Sequence, residues 1–166
     1  MSTNLKTLYN FEEQIEDTLQ TVIQSAFGDE VFVTVGDPTS GRELPRLNIF
    51  ISNIEALDEG LLEISGLGDE YLRHTCTLET QVITDNTQEE QTRSFHNSIV
   101  GKSRALLLRN IINLDATNLP NFSIEEIRMA DSDRRVDGDV TATATMYAMR
   151  FSIRPSAWPD PTNQVG

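Results

Sequence analysis

The chain reads as an α+β protein: one domain with a mostly antiparallel, twisted sheet packed by two helices in the order α-β-β-β-α-β-β, and a protruding acidic arm. Two amphipathic stretches of helical period, at residues 5–26 and 87–110, predict the helices. Five runs of β-branched and alternating residues predict the strands, and an Asp-Gly pair between the last two predicts a hairpin. At 166 residues the chain is the length of one ordinary domain. Its apolar fraction of 38% makes for a lean core.

In the first helix, Phe11, Ile15, Leu19, Val22, Ile23 and Ala26 form the apolar stripe, and Gly28 stands at the C-cap. Glu12, Glu13, Glu16 and Asp17 fall on the opposite face. Val31 to Val35 is a short β-branched run, and Arg46 to Ile51 alternates Leu47, Ile49 and Ile51 against Asn48 and Phe50. Residues 52–70 hold six acids (Glu55, Asp58, Glu59, Glu63, Asp69 and Glu70), three glycines and no base, a composition for an extended loop or arm. The next strand, residues 71–84, sets Leu72, His74, Cys76, Leu78, Thr80 and Val82 on one face.

Thr87 followed by Glu90 is a capping-box pattern, and Phe95, Ile99, Val100, Ser103, Leu106 and Leu107 trace the second helix to about Asn110. Ser123 to Met129 reads as a strand, Asp137-Gly138 as the hairpin turn, and Val140 to Arg154 as one unbroken strand. Fifteen residues at ~3.3 Å each span about 50 Å, so part of that strand is expected to project or to pair elsewhere. Along it Ala142, Ala144, Met146 and Ala148 share one smooth face, opposite Thr143, Thr145, Tyr147 and Met149, which suits close packing against a helix or another subunit. Residues 155–166 form a tail whose Pro155, Pro159 and Pro161 exclude a helix or central strand. Trp158, the sole tryptophan, stands between two of those prolines as an anchor for a neighbour's pocket.

Charge narrows the function. The net charge is −13, and residues 1–70 carry −11 of it. That balance argues against a protein that coats nucleic acid, since phosphate binding needs clustered Lys and Arg. No apolar run reaches membrane-spanning length and the start has no signal-peptide pattern, which predicts a soluble, unexported chain without a membrane partner. One cysteine makes no internal disulfide, so the cytosol is the expected compartment of synthesis.

Chemistry-bearing patterns are thin. His74 and Cys76 are two apart on a strand with His96 as a possible third ligand, yet no second Cys or HExxH supports a metal. Asp131, Asp133, Asp137 and Asp139 crowd nine residues, but Arg135 and a late Gly138 break the calcium-loop pattern, leaving a solvated hairpin. Gly66 and Gly68 lack the setting of a phosphate loop, and no nucleophile signature surrounds Cys76. The expectation is a non-enzyme with no cofactor whose surface is its function, working as a homo-oligomer closed through sheet edges and the small-residue face.

The segments FEEQIEDTLQTVI, ELPRLNIFI, SFHNSIVGKSRALLLRN and ATMYAMRFSIRPSAWP, in this order over residues 5–159, resemble the tail terminator (tail completion) proteins of long-tailed bacteriophages. The resemblance implies a structural virion protein at the tail–head junction. Its subunits would form a hexameric ring that caps the tail tube and joins it to the head or neck. The implied partners are the tail tube protein, the neck or head-completion protein and a sheath protein. It implies no catalytic residues. In such a ring DNA passes through without specific binding, and a bore of carboxylates repels phosphate. The channel candidates are Glu12, Glu13, Glu16 and Asp17, or Glu55, Asp58, Glu59 and Glu63 of the arm. The interface candidates are Ala142, Ala144, Met146 and Trp158. Two other readings remain at this stage: another neck ring such as a stopper or connector, and a monomeric acidic adaptor or DNA mimic that uses the acidic half as its binding surface.

Overall fold

The computed structural model describes residues 11–36, 43–56, 72–110 and 122–153. Residues 5–10 of the expected first helix, most of the arm with Asp58, Glu59 and Glu63, and the tail with Trp158 lie outside the described residues.

The elements are α1 (Phe11–Phe27), β1 (Phe32–Val35), β2 (Arg46–Ala56), β3 (Leu72–Asp85), α2 (Arg93–Asn110), β4 (Phe122–Asp137) and β5 (Val140–Ile153). They form an α+β fold on one five-stranded sheet of order β1-β2-β3-β5-β4. β1 runs parallel to β2, and every other pair is antiparallel. Both helices lie on one side of the sheet, where Lys102 of α2 reaches the Ala26 carbonyl at the end of α1, 2.7 Å away. The core holds Ile15, Leu19, Ile23 and Phe27 of α1 against Leu47, Ile49 and Ile51 of β2, and continues through Leu78, Tyr147, Met149 and Phe151 to Ile99 and Leu107 of α2.

Four expectations are corrected. First, α2 begins at Arg93: Thr92 accepts the Phe95 N–H through its hydroxyl at 3.1 Å and is the N-cap, while Thr87 bonds to Asp85 in the preceding turn. Second, β2 continues to Ala56, so the first residues assigned to the arm are strand, with a bulge between Ser52 and Glu55 and a positive φ at Asn53. Third, β4 reaches Asp137, so Asp131 to Asp137 is strand rather than hairpin loop, held by continuous pairing to β5. The loop proper is Gly138-Asp139 between the paired Asp137 and Val140, one residue later than the Asp-Gly pattern places it; Gly138, at φ 59°, supplies the left-handed conformation.

The fourth concerns β5, which does not project. All 14 of its residues pair with β3, and β4 runs beside it to both ends. Its length is matched by long neighbours, so the strand sits inside the sheet and needs no foreign partner.

Candidate interaction surfaces

The alternation along β5 separates two environments. Thr141, Thr143, Thr145, Tyr147, Met149 and Phe151 are buried on the side of the helices. Ala142, Ala144, Met146 and Ala148 face away from them, and Met146 is 41% exposed. The register extends this helix-free face across β3 through Thr75, Thr77, Glu79 and Gln81, and onto β4 through Asp131 and Asp133. Glu79 is half-buried there, and loss of water raises its carboxyl pKa. The smooth face expected from sequence therefore exists and lies outside the helix-packed core.

The acidic set on α1 divides. Glu12, Glu13 and Glu16 line one groove of about 330 Å³ with Val35, Gly36, Phe50 and Ile51. Asp17 is exposed and does not line it. Glu16 is half-buried, and its Oε1 accepts the Ile51 N–H at 3.1 Å. β1 pairs with β2 only as far as Val35 opposite Ile49, so the carboxylate satisfies a backbone donor just beyond the last paired residue. Burial raises the Glu16 pKa, the Ile51 bond opposes that rise, and the charges of Glu12, Asp17 and Glu13 add to it. Glu16 is therefore a clamp between helix and sheet. Glu55 is exposed on β2, opposite Thr75.

The residues weighed as metal ligands do not converge. His74 stacks on Phe151 with ring centroids 5.3 Å apart. Cys76 is buried, its thiol pushed up to about 12 chiefly by desolvation. His96 lies at the other end of the strand beside Thr84, which is ten steps along β3 from His74, about 33 Å at ~3.3 Å each. Asp131, Asp133 and Asp137 are spread along an extended strand, and Arg135 bonds to Asp133 at 2.8 Å. Among the described residues no group of three or more His, Cys, Asp or Glu is placed to hold a metal, and no helix is long and apolar enough to cross a membrane.

Two features escaped the sequence reading. One is the contrast between the sheet edges. Gln24 accepts the Val33 N–H at 3.0 Å and donates to the Val31 carbonyl at 2.9 Å, while Gln20 donates to the Val33 carbonyl at 2.9 Å. Side chains of α1 thus occupy the Val31 carbonyl and both backbone groups of Val33 at the outer edge of β1. The outer edge of β4 has no strand partner among the described residues, and Glu125 to Asp139 are exposed apart from half-buried Ile127. The other feature is a polar layer under α2, in which His96 is 1% exposed with Nδ1 2.8 Å from the Thr84 hydroxyl and Nε2 2.7 Å from that of Thr143.

No protein-family model and no curated protein matches the sequence. Among solved structures, the chain is similar to one in a structure described as "Virion of native gene transfer agent (GTA) particle". The TM-score is 0.48 at 12% identity, over 83% of this chain and 91% of that one. A likeness of this degree carries no argument about function.

Proposed function

We propose that the chain is a structural virion subunit, a tail terminator whose hexameric ring caps the tail tube and joins it to the head while DNA passes through. The observation that carries this reading is the helix-free face of β5, where Ala142, Ala144 and Ala148 surround the exposed Met146. Small side chains let a neighbouring backbone approach closely, and an exposed methionine within them supplies apolar area for contact. The charge distribution supports it as well, because a subunit with −11 in its first 70 residues presents DNA with a repulsive surface. Glu12 and Glu13, which line the α1 groove, are the acids proposed to flank such a bore, with exposed Asp17 and Glu55 and with Asp58, Glu59 and Glu63 of the arm as further candidates; Glu16 is reserved for its bond to Ile51. Trp158 remains the proposed anchor toward the tube or neck. The ring works as a passive joint and needs no cofactor.

The test adds purified protein to tail tubes that lack their cap and images the tube ends. Six-fold density at one end, lost in Ala144→Glu, is the expected result. Rings on the portal side instead would move the chain to another neck position. If it ignores both and binds a basic protein in a salt-sensitive way, it is an acidic adaptor.

A further inference from the structure

The helix layer leaves most of β4 bare. By register Met129, Ser132, Arg134 and Val136 stand opposite Tyr147, Thr145, Thr143 and Thr141, so they point to the side of the helices. Yet Met129 is 48% and Val136 67% exposed there. α2 runs beside this shelf, antiparallel to β4: His96 bonds to Thr143, and eight residues later Arg104 Nη2 donates to the Ser132 hydroxyl at 2.6 Å. The flank of α2 that carries Arg104 also bears Gly101 and Leu108 at helical spacing. Leu108 is 41% exposed, and no atom stands within 4 Å of where a Cβ of Gly101 would be, so the wall of the shelf is open.

We infer that an acidic amphipathic helix of a partner protein docks on this shelf as a third helix, its apolar stripe on Met129, Val136 and Leu108 and its carboxylates on Arg104 and Arg134. This does not rest on the tail-terminator reading.

Charge selects the partner. The chain has 26 acids against 13 bases, yet α2 carries Arg93, Lys102, Arg104 and Arg109 and no acid. β4 adds Arg134 on the same side, while its Asp131, Asp133 and Asp137 stand opposite Met146, Ala144 and Val140 and belong to the other face. Glu89 and Glu90 are in the turn before α2, which Gln91 ties to the Leu44 carbonyl on the β2 side, and Asp139 is in the loop past the end of β4. The charge of Arg134 reaches His96, so that guanidinium lies near α2. Among the described residues the ion pairs engage Arg73, Arg135 and Arg150 and leave Arg104 and Arg134 without a carboxylate. A basic strip with exposed apolar side chains fits a ligand of the reverse pattern, acids beside an apolar stripe. Met129 to Val136 is seven steps, about 23 Å at ~3.3 Å each, which a helix of about 15 residues covers at ~1.5 Å per residue. Nucleic acid is the other polyanion, but its phosphates gain nothing from Met129, Val136 and Leu108, and a net charge of −13 opposes its approach.

NMR of the full chain tests the idea through the methyl signals of Met129 and Leu108, which report the shelf itself. The probe is a synthetic helical peptide with a leucine stripe flanked by glutamates; a twin with lysines for the glutamates and a DNA duplex are the controls. In wild type the acidic peptide is expected to move both methyl signals, less so as salt rises, and the lysine twin to leave them in place. R134E/V136E, changed only at exposed positions, is expected to bind the acidic peptide at least about ten-fold more weakly, and Arg104→Gln to weaken it by a smaller factor. In R134E/V136E the lysine twin is expected to move the two methyls, which separates loss of the contact from loss of the fold. An acidic peptide that leaves the methyls unmoved in wild type, or that binds R134E/V136E as tightly, overturns the proposal. So does a duplex that moves them more than the peptide does, since the strip would then take phosphate. Any of these results leaves the tube-capping test unaffected.

Discussion

The two helices cover the same side of one sheet, yet they rest on different kinds of core. Under α1 the contact is apolar: Ile15, Leu19 and Ile23 are at most 1% exposed and meet Leu47 and Ile49, which are fully buried. Under α2 the same layer is threaded with polar groups, including Thr80, Thr84, His96, Ser103, Thr141, Thr143 and Thr145, all buried. Hydrophobic burial is non-directional and grows with area, so the first half tolerates small shifts. Buried hydrogen bonds are directional and costly when half-made, so the second half fixes where α2 sits. One half holds the fold together, and the other sets the register between α2 and the strands beneath it.

The largest effect that tests this contrast is in the apolar half. Leu19→Ala is expected to cost about 2–5 kcal/mol, from lost transfer energy and the cavity left behind, measured as a drop in the urea midpoint at unchanged slope. His96→Leu is expected to cost less, about 1–3 kcal/mol, because it leaves the Thr84 and Thr143 hydroxyls buried without their partner. The two losses differ in how they are repaired. Adding Thr84→Val and Thr143→Val to His96→Leu removes the orphaned hydroxyls and should recover most of the stability, whereas no polar change repairs Leu19→Ala. If the triple variant is no better than His96→Leu, the layer does not work through hydrogen bonding.

Acid separates the halves in a second way. Burial, helped by the charge of Arg134, lowers the His96 pKa from 6.5. As pH falls below 6.5 the unfolded chain takes up the proton first, so the His96 contribution is complete above 6.5 and is lost as pH drops toward the lower folded value. Glu16 has the opposite sign. Its folded pKa is raised above 4.5, so its contribution is complete below 4.5 and is lost as pH rises through the folded value. His96→Leu should therefore flatten the stability profile just below 6.5, and Glu16→Gln, which keeps an oxygen for the Ile51 N–H, should flatten it just above 4.5. Thermal melts over this range check both. A profile that Glu16→Gln leaves unchanged would remove the clamp role given to that residue.

The same contrast explains what could be read from sequence. The apolar half was legible because Ile15, Leu19 and Ile23 keep helical period and Leu47, Ile49 and Ile51 alternate. The polar layer was not, since threonine on a strand reads as propensity rather than burial and His96 drew notice only as a ligand. β4 was cut short because Asp131 to Arg135 has the composition of a loop, while pairing to β5 along one edge leaves charged side chains free to reach water. Of the candidate site, the smooth face of β5 was visible in simple alternation. The role of Glu16 was hidden, because it depends on where β1 stops beside β2.

Lys102 is where the halves meet. It rises from α2 beyond the polar layer, donates to the Ala26 carbonyl at 2.7 Å, and places its ammonium 5.0 Å from the centroid of the Phe27 ring. A cation at the end of α1 complements the partial negative charge of the last carbonyls and is attracted to the ring face. The Lys102 ammonium is exposed, so Lys102→Met is expected to cost only about 0.5–1 kcal/mol, the smallest of these effects. Its value lies in where the loss is felt. If the apolar and polar halves open as one unit, hydrogen exchange should speed by the same factor in the most protected amides of both helices. If α2 opens by itself, Lys102→Met should speed exchange in α2 and leave α1 untouched, and the directional bonds of His96 would then stabilise a lid on the sheet rather than a share of a common core.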